Sequence, residues 1–190
     1  MQKLQTIKDI IDTHLMRIVN MGLNKLPVNV ESLMVDPNQD KNDEWQSWLP
    51  VESTVVDEEV VEFEGRLGYK LPSAYVAFLK HKHFYELHIS SASFCAHPSD
   101  SWRARLTEMV FDGYPREFLI DKGYIPFADW SDWGLLCFDA NKHVLDFNYP
   151  IVLWDHERAN EVEPHAQDFF DLIFALDKAE KEREVEDDES

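Results

Sequence analysis

The side chains best suited to hold a metal form two pairs, His81 with His83 and Cys95 with His97, each with one residue between its members. Because alternate residues of a β-strand lie on the same face, each pair could supply two ligands to a zinc ion. The sequence has no His-Glu-x-x-His pattern, no Cys-x-x-Cys pair and no spacing that closes a four-ligand site. Scattered histidines are more often surface or core-edge residues, so we predict no metal site and no bound cofactor.

Nucleophilic catalysis has weaker support. Cys95 and Cys137 are the two cysteines, and neither lies in a known catalytic pattern. The apolar residues on both sides of Cys137 predict a buried small hydrophobe. The 6 glycines stand apart from one another, so a glycine-rich phosphate loop cannot form. Asp155 and Glu157 could bring two carboxylates together, but a solvated strand end has the same pattern. We therefore predict that the protein is not an enzyme.

The chain is strongly acidic, with 37 Asp and Glu against 18 Lys and Arg in 190 residues, a formal charge of −19. The acids are concentrated, because residues 36–64 carry a net −9 and residues 177–190 a net −5. A polyanion repels phosphate backbones and anionic lipid surfaces, so neither nucleic acid nor a membrane is an expected partner. With 44% hydrophobic and 13% aromatic residues the chain should nevertheless fold, and its length favours one compact domain.

The cysteine content and the absence of long apolar runs favour a cytoplasmic protein. Two cysteines are too few for a disulfide scaffold, which predicts reduced thiols, and a single Cys95–Cys137 bridge is the less favoured alternative. The N-terminus carries charges where a secretory signal needs an apolar run. No stretch approaches the roughly 18 consecutive apolar residues of a membrane span.

Helical patterns dominate the first part of the chain. Apolar residues from Leu4 to Val19 recur at helical spacing before Gly22, which predicts an amphipathic helix. Residues 24–51 are rich in Asn, Asp and Pro and predict a long connection or an N-terminal appendage to the core domain. A second helix is expected from residues 53 and 54, with Thr54 and Asp57 as a capping pair, and a third after Pro72.

The second part favours short strands at 84–94, 124–128, 134–139 and 149–154, with helical pieces between the first two and a closing helix opened by Pro164. This order predicts an α+β fold with a mostly antiparallel central sheet flanked by helices. We expect an N-terminal helix and polar connection over 1–51, one domain over 52–178 and an acidic tail over 179–190. For the tail, solubility is the favoured role.

Four motifs in this order resemble the SUKH superfamily, which includes bacterial immunity proteins and the fungal Smi/Knr cell-wall regulators. They lie at 67–79 (LGYKLP followed by Tyr and Phe-Leu), 125–139 (IPFAD and WGLLCFD), 150–157 and 169–172. Together they cover roughly residues 52–178. Two departures stand out: residues 81–83 read His-Lys-His where the family has Asn-Gly-Gly, and Trp133 precedes a strand where many relatives have a small or acidic residue.

The resemblance implies a domain that binds another protein, since bacterial members typically neutralise a polymorphic toxin, commonly a nuclease with a basic face. The alternative is a scaffold or regulator that recruits other proteins, as in the fungal members. Exposed acids and aromatic anchors are the features expected of such a contact surface. We predict contacts by Asp57, Glu58, Glu59 and Glu62 on the second helix and by Asp129, Trp130, Asp132 and Trp133 in the loop before a strand. For the helix acids, a merely solvated face is an equal alternative, and the oligomeric state is left open.

Overall fold

In the computed structural model of the chain, the structure describes residues 2–40, 42–142, 148–158 and 161–188. The α-helices are α1 (Gln2–Asn20), α2 (Asp57–Leu67), α3 (Ser73–Leu79), α4 (Trp102–Thr107) and α5 (Phe169–Asp188). A π-helical turn at Glu108–Asp112 continues α4, and short 3-10 turns follow at Arg116–Phe118 and Ile120–Lys122. None of the described helices has the length and apolar character needed to cross a membrane.

The strands are β1 (Lys25–Leu26), β2 (Gln46–Ser47), β3 (Val51–Glu52), β4 (Lys82–His83), β5 (His88–Ile89), β6 (Ala92–Phe94), β7 (Tyr124–Trp130), β8 (Gly134–Asp139), β9 (Ile151–Asp155) and β10 (Val162–Ala166). Six of them form one antiparallel sheet in the order β10-β9-β8-β7-β6-β5, while β1 pairs with β2 and β3 with β4. The predicted α+β fold with a mostly antiparallel sheet is therefore confirmed.

One face of the six-stranded sheet builds the main core with α3 and α5. Tyr75 of α3 lies 5.4 Å, centroid to centroid, from Phe169 of α5, and Phe127 of β7 stacks on Phe138 of β8 at 4.2 Å. Tilted and edge-on aromatic pairs of this kind contribute beyond the area that they bury. The opposite face carries a smaller apolar cluster of Leu119, Leu135, Cys137, Val152 and Trp154. Both faces of the central strands are thus covered.

The segment before residue 52 packs into the same core. Met34 and Trp48 are fully buried in the main cluster, and a bridge joins Val35 to Trp48. On α1, His14 Nε2 lies 3.1 Å from Asp177 Oδ1 of α5, which ties the two helices together. At the other end, α5 continues as a helix to residue 188, through most of the predicted acidic tail. The division of the chain at residues 51 and 178 stays a prediction.

Two expected helix starts are wrong. Helix α2 begins at Asp57, because the backbone N–H of Thr54 donates to His83 Nε2 at 2.9 Å, and the Glu59 carboxylate instead accepts from the Val56 N–H at 3.1 Å. Pro164 does not open α5 but lies in β10, an edge strand with an irregular register, where a missing N–H breaks no central ladder. Asp168 precedes α5 and accepts from the backbone N–H of residue 171 at 2.8 Å.

Candidate protein-binding surface

Helix α2 presents an acidic face to solvent. At 100° per residue its buried side chains cluster on one side, and these are Val60, Phe63, Glu64 and Leu67. The side chains of Glu58 and Glu62 lie on the other side and are exposed, as is Asp57 at the N-terminal end, and the side chain of Glu59 is half-buried. Three acids in the first turn also favour the helix electrostatically, since its N-terminus carries partial positive charge.

An apolar spot lies among these acids, and the sequence reasoning missed it. Val61 is 57% exposed and falls between Asp57, Glu58 and Glu62 around the helix axis. Val56 is 49% exposed and immediately precedes α2. The signal was available in the sequence, because Val61 lies on the opposite side of the helix from Phe63. Exposed apolar residues within a polar ring are typical of protein contact surfaces.

Of the four predicted contact acids on α2, two are paired with cations. Asp57 contacts Lys80 Nζ at 2.5 Å, and Glu62 contacts Arg103 at 2.6 Å. Such exposed ion pairs contribute about 0 to 1 kcal/mol each, so a cation on a binding partner could replace them at little cost. Glu58 has no hydrogen bond or ion pair to any residue that the structure describes.

The second predicted group lies where β7 turns into β8, and the structure corrects its local setting. Asp129 and Trp130 belong to β7 rather than to a loop, and residues 131–133 form the turn. Ser131 adopts a positive φ of 50°, and its N–H donates to the Ser91 carbonyl at 2.8 Å. The turn is therefore held against the neighbouring β5–β6 hairpin.

The two tryptophans of this group differ in accessibility. Trp133 is 41% exposed next to the exposed Asp132, so its indole is open to a partner. Trp130 is half-buried against the main core and meets the His165 ring edge-on at 4.5 Å between ring centroids. Of the two, Trp133 has the geometry of an anchor residue.

A β-bulge decides where Asp129 points. Ile125 and Phe127 face the main core, so strict alternation would point Asp129 there too. The register shifts between Pro126 and Ala128, and Asp129 then pairs with Leu135 of the opposite cluster. Its carboxylate consequently lies on the second face of the sheet.

Tyr114 holds the re-aimed carboxylate. Its hydroxyl donates to Asp129 Oδ1 at 2.7 Å, and Oδ2 has no hydrogen-bond partner among the described residues. Burial and the negative charge of Asp129 raise the pKa of Tyr114 above its usual value. Tyr114 lies fifteen residues before Asp129 with no local pattern linking them, so the sequence gives no sign of this pair.

The structure does not bring the two predicted groups into direct contact, because the segment from 102 to 114 lies between them. Arg103 contacts Glu62 of α2, and the Phe111 ring lies 6.0 Å from that of Phe63. At its end, Tyr114 reaches Asp129. Among the residues that the structure describes, no hydrogen bond or ion pair joins the α2 acids to the β7–β8 turn.

The side chains with catalytic potential are packed as structural groups. The rings of His83 and His97 stack at 4.9 Å and are almost fully buried, and burial lowers the pKa of His97 to about 3. Burial also raises the pKa of the Cys95 thiol to about 12 and that of Cys137 above its usual value, so both stay protonated near neutral pH. The described residues include no group of three or more His, Cys, Asp or Glu arranged to hold a metal ion.

Comparison with known proteins assigns the fold to a family. No curated protein matches the chain. The sequence model of the SMI1 / KNR4 family (SUKH-1) matches residues 54–174, a range that begins just before α2 and ends within α5. That range contains the whole six-stranded sheet, α2 to α4 and every predicted contact residue. The match covers more than half of the chain, and the protein belongs to the SMI1 / KNR4 family (SUKH-1).

Proposed function

We propose that this domain is a non-enzymatic immunity protein that binds and neutralises a basic toxin. A nuclease is the favoured toxin, and the domain would neutralise it by covering its nucleic-acid-binding face. The observation that carries the proposal is the exposed acidic face of α2 in a member of the SMI1 / KNR4 family (SUKH-1). A cytoplasmic location is part of the proposal, because a toxin that attacks nucleic acid must be met where that nucleic acid is.

The charge distribution supports fast association with a cationic surface. The chain carries a formal charge of −19, and residues 36–64 contribute −9 of it. Opposite charges steer encounter and raise association rates at low salt. The same negative charge disfavours binding of this domain to nucleic acid itself. Inhibition would therefore come from binding to the toxin and blocking its nucleic-acid-binding face.

Aromatic and aliphatic contacts would supply most of the affinity. Trp133 beside Asp132 and Val61 among the α2 acids each place an apolar group inside a polar ring. In protein interfaces such central apolar groups carry most of the binding energy, while the surrounding charges govern rate and specificity. The proposed contact set is Asp57, Glu58, Glu59, Glu62, Asp129, Trp130, Asp132 and Trp133.

The test is inhibition of the protein encoded by the reading frame next to this gene. The purified full chain is expected to bind it at one-to-one stoichiometry and abolish its nuclease activity. E58K should slow association at least about tenfold at low salt, because it reverses an unpaired exposed charge. E182K is the matched control, since Glu182 is also exposed, lies on α5 and makes only a 3.7 Å contact with Lys178.

Two results would refute the proposal. One is full nuclease activity in the presence of excess chain. The other is an equal loss of association rate in E58K and E182K, which would assign the effect to net charge rather than to α2. Binding of a protein that is not a toxin, with no activity lost, would favour the scaffold or regulatory role instead.

A further inference from the structure

A groove of about 480 Å³ opens beside Asp129, between the edge of the sheet and the segment that contains the π-helical turn. Ser93 and Phe94 of β6 line one side, and Arg105, Met109 and Tyr114 line the other. Ser93 is the register partner of Asp129, so both belong to neighbouring positions of the same sheet face. The groove therefore has a rigid floor and a helical wall, and π-helical turns are frequent at functional sites.

The charges in the groove do not balance. Its lining includes the carboxylates of Glu86, Glu108 and Asp129 against one guanidinium, that of Arg105. Arg105 is already engaged by Glu108 at 3.5 Å. The field of Asp129 reaches across the groove, since its charge is the second cause, after burial, of the raised pKa of the Cys95 thiol. The groove is thus short of positive charge.

The aromatic lining selects among cations. The rings of Tyr85 and Tyr114 both contribute to the groove walls. A guanidinium can donate to a carboxylate in its plane and stack on aromatic rings with its faces, whereas an ammonium offers only a point charge. Asp129 is prepared for that role, because Tyr114 fixes its Oδ1 and leaves Oδ2 without a described partner.

We propose that this groove binds the guanidinium of an arginine side chain projecting from the basic protein partner, with Asp129 as its carboxylate. The inference rests on the proposed function only in assigning the arginine to a toxin. The bulge in β7 gives the site its geometry, since it turns Asp129 out of the main core and into the groove.

The experiment uses the full chain, labelled with ¹⁵N, and the peptide acetyl-Gly-Arg-Gly-amide at low ionic strength. Amide shifts are expected at 93–95, 105–114 and 129, and the lysine peptide should bind at least about fivefold more weakly. D129N should weaken arginine binding about tenfold, because it removes a charge-assisted hydrogen bond and keeps the shape. R105Q should tighten binding about two- to fivefold, because it removes the competing resident cation.

The matched control is D121N, which makes the same charge change at an exposed aspartate of the Ile120–Lys122 turn, outside both the groove and the proposed contact set. It should change arginine binding less than twofold. Equal weakening in D129N and D121N, unchanged binding in D129N, or equal binding of the two peptides would each overturn the proposal. The outcome is separable from the proposed function. If the chain fails to bind the peptide but inhibits the toxin fully, only the groove proposal is refuted. If the chain binds the peptide but does not inhibit the toxin, only the immunity role is refuted.

Discussion

Lowering the pH from 7 to 5 should destabilise this protein through His97. The ring is 2% exposed, and its Nε2 lies 2.8 Å from the Leu79 carbonyl, which can only accept, so Nε2 carries the proton of a neutral ring. A second proton would have to go to Nδ1, on a ring stacked 4.9 Å from that of His83. The His83 ring also has both nitrogens engaged. Its Nδ1 donates to the His97 carbonyl at 3.0 Å, and its Nε2 accepts from the Thr54 N–H at 2.9 Å.

The magnitude follows from the pKa of His97, which burial, and then the neighbouring His83, lowers from 6.5 to about 3. The unfolded chain binds the proton first as the pH falls below 6.5, so the free energy of unfolding decreases from there until the pH reaches the folded pKa. At pH 5 the loss from His97 is about 2 kcal/mol, and near pH 3 it approaches about 4 to 5 kcal/mol. His83, whose pKa is also lowered by burial, adds to this loss.

Carboxyl groups affect a lower pH range. The pKa of Glu31 is held below its usual 4.5 by hydrogen bonds from the 99–101 segment, and that of Glu180 by Arg183 and Arg17, although burial opposes both shifts. A lowered carboxyl pKa contributes stability above the unfolded value and loses it as the pH falls through the folded value. Most of that loss lies below about pH 4.5, so the range from pH 7 to 5 isolates the histidines.

The assay is urea unfolding at pH 7, 6 and 5, followed by tryptophan fluorescence; the Trp102 ring lies 5.3 Å from that of His97. H97Q keeps a side-chain N–H donor and removes the titrating group, so it should lose about 2 kcal/mol less than the wild type between pH 7 and 5. H156Q, at an exposed histidine, is the control and should follow the wild type. Parallel pH profiles for H97Q and wild type would refute the reasoning.

Three further substitutions separate binding from folding. W133A should weaken binding to the proposed toxin partner by roughly 2 kcal/mol with unchanged urea unfolding, because its indole is exposed; a shifted unfolding midpoint would contradict this. G134A should cost about 1 to 3 kcal/mol of stability, since an added Cβ would lie 3.1 Å from the Trp154 carbonyl oxygen in the adjacent strand. An unchanged midpoint in the same urea titration would show that the strands accommodate the methyl group without strain. F169A should cost about 3 to 5 kcal/mol because the ring is fully buried among five other aromatic side chains, and a loss of less than 1 kcal/mol by calorimetry would contradict that burial.

Local patterns predicted the elements whose identity depends on near neighbours in the chain. The apolar spacing of α1 and the start of α3 directly after Pro72 are such cases, because periodicity and a proline at a helix start are local properties. The start of α2 was misplaced since its cause is distant. Thr54 is drawn to His83, twenty-nine residues further on, and no local rule contains that contact.

The segment at 24–51 is a second case in which local sequence did not predict the tertiary contacts. Its polar composition predicted a connection or appendage, yet the Trp48 and Met34 side chains are wholly buried in the main core. Composition averages over residues, whereas burial is decided one side chain at a time by what packs against it. A single apolar residue between polar neighbours is therefore a weak predictor of core packing from sequence, although such a residue can anchor its segment in the folded core.

The position of Asp129 shows what the sequence could have indicated about the site. Counting in steps of two from Ile125 and Phe127 places a carboxylate in the apolar core, where an unpaired charge costs several kcal/mol. The chain must therefore either pair that charge or change the alternation, and the bulge between Pro126 and Ala128 does the second. An acid that falls in phase with the core residues of a strand thus signals either a buried charge partner or a bulge. Which surface then receives the acid depends on Tyr114 and the segment around it, and only the folded structure brings these together.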